Sequence, residues 1–257
     1  MWVCELHFDC YQETQLAEAE PAIRQFIDAL RYNGQIVGRE FPTAMHADGL
    51  TARVVCPEQD SLHARYHSRQ VALAISNLHH VGLTSPKVTL KGQDLNSDTT
   101  DACSARPWQL LYTTYLHSCS PLRCGEHLAP VPLYQIPAVA NGDFKQVLKW
   151  QEDWEACDQL QMNGSILEHA AVSEISEPES RISQRGRKLA KHIESLTAIP
   201  TFYYLYRVGG DSLSAEQARP CPSCGQPWRL SEPLHEVFDF KCEPCRLISN
   251  LSWDFKD

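Results

Sequence analysis

The chain has 257 residues, 43% of them hydrophobic and 21% charged, with a formal net charge of −9. That length allows one large domain or two to three small ones, with enough chain to bury a core. No apolar run reaches the roughly 18 residues of a membrane-spanning helix, and the acidic balance opposes phosphate backbones unless the basic residues cluster.

The opening stretch MWVCELHFDCYQETQ lacks the basic and apolar regions of a signal peptide, which predicts a cytoplasmic protein. Eleven cysteines, an odd number without an export signal, read as thiols and thiolate ligands rather than disulfides. Cys4, Cys10, Cys56, Cys103 and Cys157 read as small core or surface hydrophobes.

The first segment alternates strand and helix. WVCELHF reads as a strand. A helix over residues 13–32 follows, with Ile23, Phe26, Ile27 and Leu30 as one buried stripe, ended by Asn33-Gly34. QIVGREF and LTARVVC read as strands around a turn at Ala47-Asp48-Gly49. A second helix over 61–81 carries Val71, Ile75 and Leu78, and KVTLKG alternates as a last strand. The order βαββαβ predicts a ferredoxin-like sandwich over residues 1–95 of an α+β protein.

Residues 92–107 are polar and turn-rich and read as a linker. A mixed strand–helix region over 106–210 follows. WQLLYTTYL and VPLYQIP read as strands there, the second held at an edge by its prolines. Asp143 and Gln146 form a capping box before a helix bearing Val147, Trp150, Trp154 and Cys157, which Asn163-Gly164 breaks. A helix over 179–196 places Ile182, Leu189, Ile193 and Leu196 inward, and Ile199-Pro200 stops it. TFYYLYRV reads as a strand; its aromatics could stack on bases where exposed, while alternation puts one face in the core.

The last segment, 211–257, holds two CxxC pairs, Cys221/Cys224 and Cys242/Cys245, with seventeen residues between them. Each pair offers two sulfurs from one tight turn, and that spacing suits a hairpin of WRL and VFDFK with RLISNLSW as a third strand. The pattern predicts a zinc ribbon with one structural Zn²⁺ on the four sulfurs. Four thiolates close the coordination shell and leave no position for a reacting water. A redox CxxC would be a single pair at a helix N-terminus after a strand, which neither resembles.

Two further stretches carry chemistry. HSCSPLRCGEH contains His117, Cys119, Cys124 and His127, and Cys124-Gly125-Glu126-His127 has knuckle form with His replacing the second Cys. Three readings fit: a plain turn with a buried thiol, a second metal site of Cys119, Cys124 and His127, or a Cys–His nucleophile pair. In RISQRGRKLAKH, Arg181, Arg185 and Lys188 share a helix face, with Arg187 and Lys191 beside it. This is either the solvated side of an amphipathic helix or a contact stripe for phosphates or an acidic partner.

SPLRCG, VPLYQIP, WQEDWEACDQL, GRKLAKHIE, IPTFYYLYRVGG and the cysteine segment together resemble a bacterial family of unknown function described as zinc-ribbon-containing, with nucleic acid as its suggested ligand. The resemblance runs from about residue 110 to the C-terminus and carries the four ribbon cysteines over directly. With the closed thiolate shell and the opening stretch, it leads to the expectation of a non-enzymatic cytoplasmic binding protein, nucleic acid being the ligand that the resemblance implies. The alternative is an acidic protein-interaction module, of inhibitor or immunity type, that masks a basic partner. No membrane partner is expected, and the sequence identifies no small-molecule substrate.

Overall fold

Alternation in WVCELHF sends every second side chain to one face. Cys4, Leu6 and Phe8 are accordingly buried in strand β1 (Trp2–Phe8) of the computed structural model. The structure describes residues 1–103, 105–116 and 118–255; His117 lies outside them. Helix α1 (Leu16–Tyr32) buries the predicted stripe Ile23, Phe26, Ile27 and Leu30. Asn33 stays right-handed, and Gly34 alone makes the left-handed turn at φ 75°.

The expected strand in QIVGREF does not form. Gly38 turns the chain at φ 106°, Val37 makes a single bridge to Val55, and the pairing strand is β2 (Thr43–His46). It makes a hairpin with β3 (Gly49–Cys56) around Ala47-Asp48. The second helix is shorter than its pattern, because Ser68 accepts the Val71 N–H and so starts α2 (Arg69–His80). Ala64–Tyr66 before it is a separate 3₁₀ turn. Strand β4 (Lys87–Gln93) completes an antiparallel sheet of order β2-β3-β1-β4. Buried side chains of both helices, β1 and β3 form one core, so these elements make the βαββαβ, ferredoxin-like sandwich.

The chain divides into two compact units, the first being Met1–Thr100 with Pro130–Gln146 and a short piece ending at Ser120. The strand expected in VPLYQIP is instead a 3₁₀ turn, Leu133–Gln135. Its prolines fix φ and withhold an N–H, which bars a ladder. Tyr134 packs on Tyr66 at 4.6 Å between ring centroids, meets Ser61 Oγ at 2.9 Å and donates to Glu58 at 2.5 Å.

The second unit contains β5 (Gln109–Leu111), β6 (Leu122–Cys124), and α3 (Lys145–Asn163) from Val147 onward. Then come α4 (Glu168–Ser176), α5 (Arg181–Thr197), β7 (Thr201–Tyr204), α6 (Leu213–Gln217), β8 (Arg229–Leu234), β9 (Phe238–Cys242) and β10 (Leu247–Ser249). Trp150, Trp154, Ile182, Leu189 and Ile193 are buried as their spacing predicts, whereas Leu196, expected inward, is 36% exposed in the last turn. Asp143 Oδ1 accepts the Lys145 N–H at 2.9 Å and so caps α3.

The six strands form one sheet of order β6-β5-β7-β10-β9-β8. Strand β7 is parallel to both of its neighbours, β5 and β10. A strand in that position is covered on both faces, and Thr201 through Tyr206 are all buried. The aromatics of FYYLY are therefore core and offer no stacking surface. The sheet also joins the segments 106–210 and 211–257, because β10 pairs with β7 on one edge and β9 on the other.

Candidate metal centre and adjoining cleft

Two tight turns present the four C-terminal cysteines. In the first, the Gly225 N–H bonds Cys221 O at 2.8 Å and the Cys221 N–H bonds Gln226 O at 2.9 Å. Gly225 takes φ 72°, a left-handed conformation that glycine adopts at little cost. The second turn ends β9 and starts β10, with Arg246 at φ 52° in the equivalent place. The sulfurs of Cys221, Cys224, Cys242 and Cys245 lie within 4.8 Å of one another, and Cys224 and Cys242 are 3.7 Å apart. A tetrahedron with metal–sulfur bonds of about 2.3 Å has edges of about 3.8 Å, so the cluster has the dimensions of a four-sulfur site that could bind a metal ion.

The electrostatics fit that use. The Gln226 N–H and then the Cys245 thiol hold Cys224 down at about 7. Burial pushes the Cys242 and Cys245 thiols up instead. Four such thiols do not ionise together without a cation; a dication at their centre removes the obstacle.

Helix α5 is tied to both turns. Arg187 donates to Ser223 Oγ at 3.2 Å beside the first, and Arg246 of the second pairs with Glu194 at 3.0 Å. Burial raises the Glu194 carboxyl, but Arg246 and the Thr201 N–H outweigh it and hold the group below its ordinary range. Between the helix and the turns lies a cleft of about 970 Å³ lined by Arg187, Lys188, Lys191, Ser223, Cys245 and Arg246, with Glu179, Glu194 and Glu243. Lys188 and Lys191 are exposed and make no ion pair among the described residues. Of the other predicted cations, Arg185 turns away to Asp153, at 2.5 Å, and Arg181 is exposed but does not line the cleft.

The segment around Cys124 is arranged differently from its sequence pattern. Cys124 and His127 meet Asp101 and Cys103, with one ligand atom from each within 4.8 Å of all the others. Cys119 is not part of this group. It is buried, in the chain ahead of β6. Sequence nearness suggested Cys119; nothing periodic could have pointed to Asp101, and Cys103 had read as a plain hydrophobe. A nucleophile pair also fits poorly. His127 Nδ1 faces both Cys124 Sγ at 3.6 Å and Asp101 Oδ1 at 3.0 Å, whereas a relay needs one partner on each ring nitrogen. Burial raises the Cys124 thiol, opposite to an activated thiolate.

Comparison with known proteins adds kinship. Residues 103–206 match a domain of unknown function, DUF2310; residues 1–92 and 210–255 match two others, DUF8589 and DUF8594. A crystal structure from Deinococcus radiodurans, described as that of an antibiotic biosynthesis monooxygenase, covers 37% of this chain and 96% of its own at 16% identity, with a TM-score of 0.26. An uncharacterised Haemophilus influenzae protein is 53% identical over 166 residues, spanning 65% of this chain and 82% of that one. A second uncharacterised Haemophilus influenzae protein is 45% identical over 260 residues, covering 99% of this chain and all of its own. With that identity from end to end, the chain belongs to the same family as this second Haemophilus protein.

Proposed function

We propose that this is a non-enzymatic zinc-ribbon protein of the cytoplasm that takes a nucleic-acid strand in the cleft between α5 and the cysteine turns. The observation that carries the reading is the convergence there of Arg187, Lys188, Lys191 and Arg246, in a chain that is otherwise acidic. Zinc is the ion assigned because four thiolates at tetrahedral spacing suit it, and a reducing compartment keeps them available. Its role is to hold one wall of the cleft, Ser223 through Arg246, against the helix.

The binding is weak by construction, since Glu179, Glu194 and Glu243 share the cleft and, of its four cations, Lys188 and Lys191 alone make no ion pair among the described residues. Anisotropy titration of a labelled single-stranded oligonucleotide at low salt should show binding that falls steeply with salt, with a log–log slope of about −0.7 per phosphate neutralised. Lys188→Glu with Lys191→Glu should abolish it, and so should zinc removal. No binding at roughly 100 μM protein, the weak end of non-specific affinity, would overturn the reading. The second reading, an acidic module docking a basic protein, is favoured by the net charge of −9 and would then take its place.

A further inference from the structure

The turn after β6 repeats the geometry of the cysteine turns, with a histidine in the second ligand position. There the Cys124 N–H bonds Ala129 O at 2.9 Å, the Leu128 N–H bonds Cys124 O at 2.9 Å, and Leu128 has φ 55°. Each of these matches its counterpart at Cys221, Gln226 and Gly225, at 2.9 Å, 2.8 Å and φ 72°. The same five-residue offset pairs Cys242 with Leu247, and the residue before it, Arg246, is again left-handed. A leucine held left-handed costs roughly 1 kcal/mol or more, so the sequence adopts this turn against its own preference. The conformation aims the Glu126 and His127 N–H groups at the Cys124 sulfur.

A second observation is independent of the turn. The Asp101 side chain is 1% exposed, and its buried Oδ2 accepts no hydrogen bond among the described residues; the Arg106 guanidinium stands off at 3.9 Å. An orphaned buried carboxylate oxygen is costly unless something positive meets it. Cys103 brings a second sulfur to the same place, and Arg106 donates to Cys103 O at 3.2 Å. For bonds of about 2.0 Å to nitrogen and 2.3 Å to sulfur, a tetrahedral edge is about 3.5 Å, against 3.6 Å observed between His127 Nδ1 and Cys124 Sγ.

We propose that Asp101, Cys103, Cys124 and His127 form a second metal site, separate from the four-cysteine centre, for a dication of the zinc class. Two thiolates, one imidazole and one carboxylate are the borderline-soft set that zinc and cobalt accept. With a dication bound, the donors carry a single net negative charge, and Arg106 is positioned to balance it. All four coordination positions come from the chain, so the site is structural. It ties Asp101 and Cys103 to the end of β6 and the turn after it. The inference borrows from the zinc-ribbon reading only the chemical class of the ion.

Metal counting tests it on the full chain. Metal-stripped protein reloaded with Zn²⁺ and desalted should hold two zinc ions per chain by mass spectrometry. Cys242→Ser should leave one, and Cys124→Ser a different one. His127 is exposed, so His127→Ala should fold even if Cys124→Ser does not, and should also reduce the count to one or give Co²⁺ that washes out. Loading with Co²⁺ should give a weaker sulfur charge-transfer band in Cys242→Ser, where two thiolates remain on the second site, than in His127→Ala, where four remain on the first. Cys119→Ser should keep two ions. One zinc in the wild type that Cys242→Ser abolishes and Cys124→Ser keeps, or two retained in both Cys124→Ser and His127→Ala, would overturn the proposal. One zinc that Cys124→Ser abolishes and Cys242→Ser keeps would instead sink the ribbon reading and leave this one standing.

Discussion

Gly186 shows how much a single Cβ matters in the second unit. It lies on the buried side of α5, where an added Cβ would fall 2.1 Å from Tyr203 Cε2 and 2.6 Å from Trp150 Nε1. Those rings are held in turn: Trp150 donates to Ile182 O at 3.2 Å, and Tyr203 is fully buried in β7. Gly186→Ala would gain about 1 kcal/mol of helix propensity. Overpacking against two rings that cannot retreat costs about 1–3 kcal/mol, and more if the helix must lift. The variant should therefore melt several degrees lower, and the loss should also weaken the cleft that α5 lines. A thermal scan with the wild type's midpoint or higher would show that the rings do move. Gly225 makes the contrast. A Cβ there meets nothing within 4 Å, so alanine at that position is limited by φ 72° and not by packing.

At the scale of elements, the cysteine turns are coupled to a sheet they do not own. The sequence predicts a zinc ribbon over residues 211–257 as a segment of its own. The structure places Phe238, Phe240, Leu247 and Ile248 in the core, with Tyr204 and Tyr112 packed on Phe238 at 5.5 Å. Burying such side chains contributes about 1.5–3 kcal/mol each, so β9 and β10 have their own reason to stay paired with β7. Chelation should then produce graded loss. In hydrogen exchange, the Gly225 and Arg246 amides and strand β8 should lose protection first and most. The β7–β10 pairing should keep part of its protection, and β1–β3 all of it. Unchanged exchange at Gly225 and Arg246 would mean that no metal was holding the turns.

At the scale of the whole molecule, sequence boundaries and structural units differ. Family matches break the chain near residues 92–103 and 206–210, while the first compact unit also takes Pro130–Gln146. That returning segment brings Leu133, Ile136, Val139 and Phe144 to burial, and a Cβ on Gly34 would lie 2.6 Å from Leu133 Cβ. A fragment ending at residue 95 would expose the surface these side chains cover. It should lose on the order of 2–5 kcal/mol, the cost typical of large buried deletions, relative to the first unit in the intact chain. Circular dichroism melts of fragment and full chain decide this; equal midpoints would make the segment a passive strap.

What the sequence by itself determined is local. The alternation of β1, the stripes of α1 and α5, the hairpin of β8 and β9, and both CxxC turns are legible because each depends on residues a few positions apart. Burial against any apolar partner satisfies a stripe, and two sulfurs three residues apart share one turn whatever lies beyond. The failures were also local contests, lost to Gly38, Ser68 and the prolines around Leu133, each of which bends or caps the backbone more strongly than its neighbours' pattern extends it. Only the tertiary structure decided that β7 is covered on both faces, that Arg185 spends itself on Asp153, and that Asp101 and Cys103 rather than Cys119 meet Cys124 and His127. Such meetings depend on which strands become neighbours across long stretches of chain. No periodicity records that choice, because it is made by the packing of the whole core and not by any one segment.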